Sequence, residues 1–302
     1  MQLSVLTLVR GRRDHLVNQM LGLNAQTRKP DELIIAYMQP EGFDDLPEVS
    51  FDVRCIYIEG GELPLAKARN RAAQTASGEY LVFLDVDCIP APTCLNQYLG
   101  FIQQFDGVLM GDVRYLSDIV VQRPFDWDIL YRQSQHHAER RAPPDEGIEP
   151  CHDFRCFWSL SFAIPKRVFM ASGGFDEDFT GYGAEDTDFG KILDTQGIKF
   201  GWCAGACVFH QFHEQHMPPV HQVDSILRNN RLYKKKWGTN TMEHWLGAFI
   251  ELGLIKATSD DYELIRRAGE YERSITRQQP DMPYASTRLF MERLQNNKFE
   301  QL

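Results

Sequence analysis

The sequence lacks any hydrophobic run of membrane-spanning length. No apolar stretch approaches the ~20 residues a spanning helix needs, and the opening Met-Gln-Leu-Ser-Val-Leu-Thr-Leu-Val-Arg turns polar too soon for a signal-peptide core. A cytoplasmic protein without a transmembrane segment is therefore expected. Positive charge is also scarce. With 32 Lys and Arg against 42 Asp and Glu, the net charge is −10, which argues against non-specific nucleic-acid binding as the main task. A regular cysteine framework is missing as well. Cys55, Cys88, Cys94, Cys151, Cys156, Cys203 and Cys207 form an odd, irregular set, as expected of reduced thiols. Cys203 and Cys207 have no second pair at zinc spacing, so a buried structural role is expected for both. There is no internal repeat and no low-complexity block. What remains is an ordinary globular composition. At 302 residues and 43% hydrophobic content, the chain can build one large α/β domain, alone or with an extension.

The organising stretch is Tyr80 to Pro90, where the apolar run Leu81 to Leu84 ends in two carboxylates, Asp85 and Asp87. With Gly78 before it and Pro90 and Pro92 after it, the run reads as a buried strand in the middle of a parallel sheet. Strand alternation would send both aspartates to one side, where a diphosphate with a divalent cation could meet them. The other reading makes one a helix cap and leaves the other solvated. Leu3 to Val9, Glu32 to Met38 and Val53 to Ile58 read as further strands. The helical spacing of Leu16, Met20, Leu21 and Leu23 predicts a helix from His15 to Gln26, after a polar turn at Arg10 to Arg13. The Ala-rich Leu65 to Ala76 predicts another, which brings Lys67, Arg69 and Arg71 just ahead of the acidic strand. Each of these cations is either part of an anion site or on a solvated face. Such alternation implies right-handed crossovers, with ligands gathering at the carboxyl ends of the strands.

Further on, a helix is expected at Cys94 to Gln104 and a strand at Gly107 to Arg114. Gln133 to His152 has few apolar residues and reads as a mobile loop or a lid, with His136 and His137 exposed. Cys156 to Ile164 should return to the sheet. In Gly181-Tyr182-Gly183-Ala184-Glu185-Asp186, the glycines permit unusual backbone angles before a helix and leave Glu185 and Asp186 in its first turn. Those acids either complement the helix dipole or line a pocket. The apolar strand Lys199 to Phe209 leads into His210, a residue type that can complete a carboxylate metal shell. Helices are expected from Val223 onward, then a polar tail from Asp260. The cluster Lys234-Lys235-Lys236-Trp237 is short for lipid binding, and packing is favoured over peripheral membrane contact.

Taken in order, these residues resemble the GT-A fold glycosyltransferases, in particular the family 2-like inverting enzymes of the chondroitin polymerase and polypeptide N-acetylgalactosaminyltransferase type. The motifs are Ser4 to Val9; Ala68-Arg69-Asn70 with Gly78-Glu79-Tyr80 and Leu84-Asp85-Val86-Asp87; Gly173-Gly174-Phe175-Asp176 with Gly183-Ala184-Glu185-Asp186; and His210. They cover about the first two-thirds of the chain. The resemblance implies an α/β fold, a GT-A (Rossmann-like), mostly parallel mixed sheet flanked by helices. It places the catalytic domain at 1–222 and a C-terminal helical extension at 223–302. It further implies a nucleoside diphosphate sugar donor, UDP-linked by type, a hydroxyl or glycan acceptor, and Mn²⁺ or Mg²⁺ held by Asp85, Asp87 and His210. Thr7, Val9, Arg10 and Arg69 would join the two aspartates at the donor. Asp186 would be the base, with Glu185, Trp158, Gly174 and Tyr182 on the acceptor side. One place departs from the pattern. Where such enzymes often carry Asp-Asp-Gly-Ser, this chain has Ile35-Ala36-Tyr37-Met38-Gln39, with no carboxylate for a uracil ring.

Two other readings share the scaffold. A sugar-nucleotide or glycan-binding protein without turnover would not need the four acids intact. A nucleotidyltransferase would want a glycine- and lysine-rich loop after the first strand, which Arg10-Gly11-Arg12-Arg13 only faintly echoes.

Overall fold

In a computed structural model, residues 1–117, 121–278 and 286–300 are described, the last five of these by backbone alone. The chain forms two compact units. The first comprises 1–136, 142–180 and 185–212, the second 137–141, 181–184 and 213–302.

The first unit opens with β1 (Leu3–Val9), α1 (Arg13–Asn24), β2 (Glu32–Tyr37), β3 (Asp52–Tyr57), α2 (Leu65–Thr75), β4 (Tyr80–Leu84), β5 (Cys88–Pro90) and α3 (Cys94–Ile102). It continues with β6 (Gly107–Leu116), α4 (Trp127–Gln133), β7 (Ser134–His136), β8 (Ile148–Cys151), β9 (Ser161–Pro165), α5 (Lys166–Ser172), α6 (Glu185–Thr195) and β10 (Lys199–His210). One sheet runs β3-β2-β1-β4-β9-β6-β10-β5, with β7 on β6 and β8 on β10. The β3-β2-β1-β4 half is parallel, as the crossover helices require. From β4 onward the pairing becomes mixed, because β9 returns antiparallel to both β4 and β6. The apolar strands are buried on both faces, and β1 and β2 are buried at every position. Phe83 stacks on Phe162 at 4.5 Å and Phe175 on Phe189 at 4.1 Å, filling the space between the sheet and α2, α5 and α6.

The second unit holds α7 (Val223–Trp237), α8 (Glu243–Glu251), the hairpin β11 (Ile255–Ala257) and β12 (Tyr262–Leu264), α9 (Glu270–Thr276) and α10 (Thr287–Glu300). Its loop segment 181–184 is anchored to α7, where the Asn229 side-chain amide donates to the Gly183 carbonyl at 2.8 Å. Among the described residues, no helix is long and apolar enough to cross a membrane.

Several expectations are corrected here. Gln133 to His152 is not one loop, since it closes α4 and supplies β7 and β8, which pair with β6 and β10. Sparse apolar content did not prevent this, because short strands at a sheet margin bury few side chains. His137 is buried, 8% exposed, rather than solvated like His136. The tail after Asp260 contains a strand and helices. Cys203 and Cys207 are buried free thiols, as expected.

Candidate active site

β4 ends at Leu84, and Asp85 to Cys88 form a tight turn in which the Cys88 amide donates to the Asp85 carbonyl at 2.9 Å. The two aspartates therefore do not share a strand face, as alternation had suggested. The turn separates them, and each meets its own partners.

Asp87, 3% exposed, lies against His210, also 3% exposed. Antiparallel pairing of β5 with β10 sets His210 opposite Cys88, and this register brings the imidazole Nε2 to 3.4 Å from the Asp87 carboxylate Oδ1. Tyr115 of β6 lies on the other side of the imidazole, ring centroids 4.8 Å apart. The second carboxylate oxygen of Asp87 forms an ion pair with Arg12, which stands in left-handed conformation (φ +55°) just ahead of α1.

Asp85 turns toward α2. Arg69, 3% exposed, reaches the Asp85 carboxylate at 3.6 Å and the Glu185 carboxylate at 3.4 Å, and its guanidinium lies 5.1 Å over the Phe175 ring. A buried cation between two carboxylates is held by both, and neither acid can be removed without leaving it undercompensated. The neighbouring Asn70 fixes the following turn. Its amide donates to the Phe175 carbonyl at 2.8 Å, and its oxygen accepts from the Phe175 amide at 2.9 Å. Gly174 (φ +73°) passes so close that a Cβ there would lie 2.5 Å from the Asn70 oxygen.

Glu185 and Asp186 open α6 as expected, after Gly181 (φ +78°), Gly183 (φ +91°) and Ala184 (φ +74°). An alanine in that region costs about 1–2 kcal/mol, and such strain persists where the surroundings fix the backbone. The Asp186 carboxylate accepts from the Thr187 amide at 2.8 Å. Burial, and then the neighbouring charge of Glu185, push the Asp186 carboxyl up to about 7 against the opposing pull of Arg69. The Asp85 carboxyl is likewise raised to about 7, by burial first, opposed by Arg69 and reinforced by Asp87 and Glu185.

The structure thus joins Asp87 with His210 and Arg12, and Asp85 with Arg69 and Glu185, as two sets of direct contacts on one turn, and places Asp186 in the electrostatic neighbourhood of the second. Thr7 and Val9 are fully buried in β1, Arg10 is exposed just beyond its end, and Trp158 is half-buried ahead of β9. Tyr182 belongs to the second unit, where its ring stacks on Trp245 at 5.7 Å. Arg12 was read only as part of a polar turn, yet it is the cation on Asp87. Its position directly after β1, on a carboxyl-end loop, was the available signal.

The donor set suits a hard divalent ion. Asp87 and His210 offer an oxygen and a nitrogen ligand of the type that Mn²⁺ or Mg²⁺ accepts, whereas Asp85 is engaged by Arg69.

A mixed, mostly parallel sheet flanked by helices, with its acids collected at strand ends, is the GT-A fold of glycosyltransferases. Residues 58–199 match the family described as glycosyltransferase like family 2. It is 25% identical over 219 residues to validoxylamine A glucosyltransferase of Streptomyces hygroscopicus subsp. limoneus, covering 62% of this chain and 46% of that protein. It is 28% identical over 169 residues to chondroitin synthase of Escherichia coli, covering 49% and 25%. The chain thus spans less than half the length of these two relatives. Among solved structures, S. aureus TarS 1–349 in complex with UDP-GlcNAc superposes with a TM-score of 0.53 at 13% identity, covering 83% of this chain and 72% of that one. GalNAc-T7 with UDP, GalNAc and Mn²⁺ gives 0.51 at 15% identity, covering 70% and 44%. At such identity the likeness is one of fold.

Proposed function

We propose that this protein is a metal-dependent inverting glycosyltransferase that moves a sugar from a nucleoside diphosphate sugar, a UDP-sugar by preference, to a hydroxyl of a glycan or similar acceptor. The observation that carries the reading is the buried Asp87–His210 pair at 3.4 Å, in the same turn as the Asp85–Arg69–Glu185 chain of contacts. The UDP-bound and Mn²⁺-bound fold neighbours support the donor and ion classes.

In this reading Asp85, Asp87 and His210 hold Mn²⁺ or Mg²⁺, which supplies charge stabilisation to the departing diphosphate. Arg12 and Arg69 add fixed positive charge on either side of the turn, and Arg69 also keeps Glu185 in place. Asp186 takes the proton of the attacking hydroxyl, and its raised pKa suits a base working near neutral pH. Attack from the face opposite the leaving group needs no covalent intermediate, so a single base suffices. Glu185, with Trp158, Gly174 and Tyr182, is assigned to the acceptor. Since the side chains of Thr7 and Val9 are buried, any hold on the base by β1 falls to its main chain and to Arg10. The proposal takes 1–222 as the catalytic part and 223–302 as the extension, in a cytoplasmic setting.

The test is hydrolysis of a panel of UDP- and GDP-sugars with Mn²⁺ and Mg²⁺, comparing the parent with Asp87→Ala and Asp186→Asn. Metal-dependent turnover lost in Asp87→Ala supports the proposal. Donor binding with no turnover under any condition would favour a binding protein on this scaffold.

A further inference from the structure

Helix α1 and the residues just after it present an unusual row of amide groups to the sheet. Asn18, Gln19 and Gln26 are 6%, 0% and 4% exposed, although a helix packed on apolar strands would ordinarily bury aliphatic residues there. Buried amides cost about 1–3 kcal/mol each when unsatisfied, so where their hydrogen bonds go shows what they hold. The Gln19 amide nitrogen donates to the Asp85 carbonyl at 2.7 Å and to the Cys88 carbonyl at 3.2 Å, spanning the turn that carries both aspartates. Three residues on, Gly22 lets the helix lie against β5, where a Cβ would meet Ile89 at 2.8 Å and Pro90 at 3.0 Å. One further turn along, Gln26 donates to the carbonyls of Pro90 (3.1 Å) and Ala91 (2.7 Å).

A second set of contacts reaches the same turn from β10. Gln211, 3% exposed and next to His210, donates to the Asp87 carbonyl through its main-chain amide at 2.7 Å and its side-chain amide at 3.3 Å. Asn18 donates to the Gln211 side-chain oxygen at 2.6 Å and accepts from Arg123 at 2.6 Å. The acceptors in this turn are carbonyls of the main chain from which the carboxylates project.

We infer that Asn18, Gln19 and Gln211 are positioning residues that fix the Asp85–Cys88 turn relative to His210, and so set the affinity of the site for its cation and diphosphate. This rests on the functional reading above. Residues that orient ligating side chains typically change metal affinity by about 10–100-fold when lost. Gln26 provides the contrast. It is an amide just past the end of the same helix, equally buried, but it holds chain beyond the turn.

The experiment measures Mn²⁺ binding and UDP binding by titration, together with the thermal midpoint, for the full chain and for Gln19→Met, Gln211→Met and Gln26→Met. All three variants should lose thermal stability. Gln19→Met and Gln211→Met should also weaken Mn²⁺ and UDP binding by about tenfold or more, while Gln26→Met binds as the parent does. If Gln19→Met is too unstable to purify, Asn18→Ala removes the support of Gln211, together with the bond from Arg123, and should give a smaller loss of the same kind. Unchanged affinity in Gln19→Met and Gln211→Met at a lowered thermal midpoint would reduce the amides to structural ones and overturn the inference. A parent that binds neither Mn²⁺ nor UDP would instead overturn the functional reading itself.

Discussion

The two ends of the same parallel strands treat a desolvated acid in opposite ways. At the amino ends of β1 and β2, Glu32 is 4% exposed and accepts from the Ser4 hydroxyl (2.6 Å), the Ser77 amide (2.5 Å), the Ser77 hydroxyl (2.7 Å) and Arg54 (3.1 Å). Burial alone would raise its pKa, but these donors together outweigh it and hold the carboxyl at about 2. At the carboxyl end, Asp85 and Asp186 have fewer donors and acidic neighbours, and both rise to about 7. Desolvation acts at both ends, on a buried Glu32 and on half-buried Asp85 and Asp186, and the supply of donors separates them. A satisfied carboxylate stabilises the fold, whereas an undersupplied one is held ready for a ligand or a proton.

The largest expected effect breaks the active end. Asp186→Asn should lower turnover by about 10²–10⁴-fold without weakening UDP binding, and at pH 8 its thermal midpoint should not fall, because an unfavourable buried charge has been removed. Unchanged turnover would take Asp186 out of the base role. Arg69→Met comes next. Breaking a buried ion pair costs about 3–5 kcal/mol, and the partial exposure of Asp85 places this case at the low end. Chemical denaturation reads that cost directly.

Glu32→Gln tests the other end. It should lower stability by about 1–3 kcal/mol and leave turnover intact, so a drop in turnover at equal stability would blur the contrast. The two ends should also separate by pH. Glu32 has a lowered folded pKa, so its contribution is present above about 4.5 and is lost as pH falls toward about 2. Asp186 has a raised one, so the folded chain binds a proton that the unfolded chain has released. Its term makes stability fall as pH rises from about 4 to about 7, while turnover rises through the same upper limb. The smallest effect is Arg54→Met. The guanidinium is 48% exposed, and such a pair is worth under ~1 kcal/mol, visible only as a slight shift in the thermal midpoint.

Much of this architecture was legible in the sequence. The alternation of apolar runs with helical spacing gave the first four strands and the helices between them, since both patterns depend on local chain geometry. The acids proposed to carry the chemistry were legible too, because Asp85, Asp87, Glu185 and Asp186 interrupt apolar or glycine-rich segments. The amides of α1 were not. Asn18 and Gln19, and Gln26 just past the helix, look like solvated positions, and only the partners opposite them explain their burial. Arg69 could not be told from Lys67 and Arg71 on the same helix until packing placed one inside. The short margin strands β7 and β8 and the hairpin β11–β12 were missed because each bonds to chain distant in sequence or too short to show periodicity.

By itself, then, the sequence determined the order of elements and the inventory of acids, cations and the histidine, since these depend on residue type and on spacing over a few positions. Only the tertiary structure decided that Asp87 meets His210, that Asp85 meets Arg69, and that Glu32 is satisfied where Asp186 is not. Those outcomes depend on strand register and on which donors arrive from far along the chain, and neither is written in any local stretch.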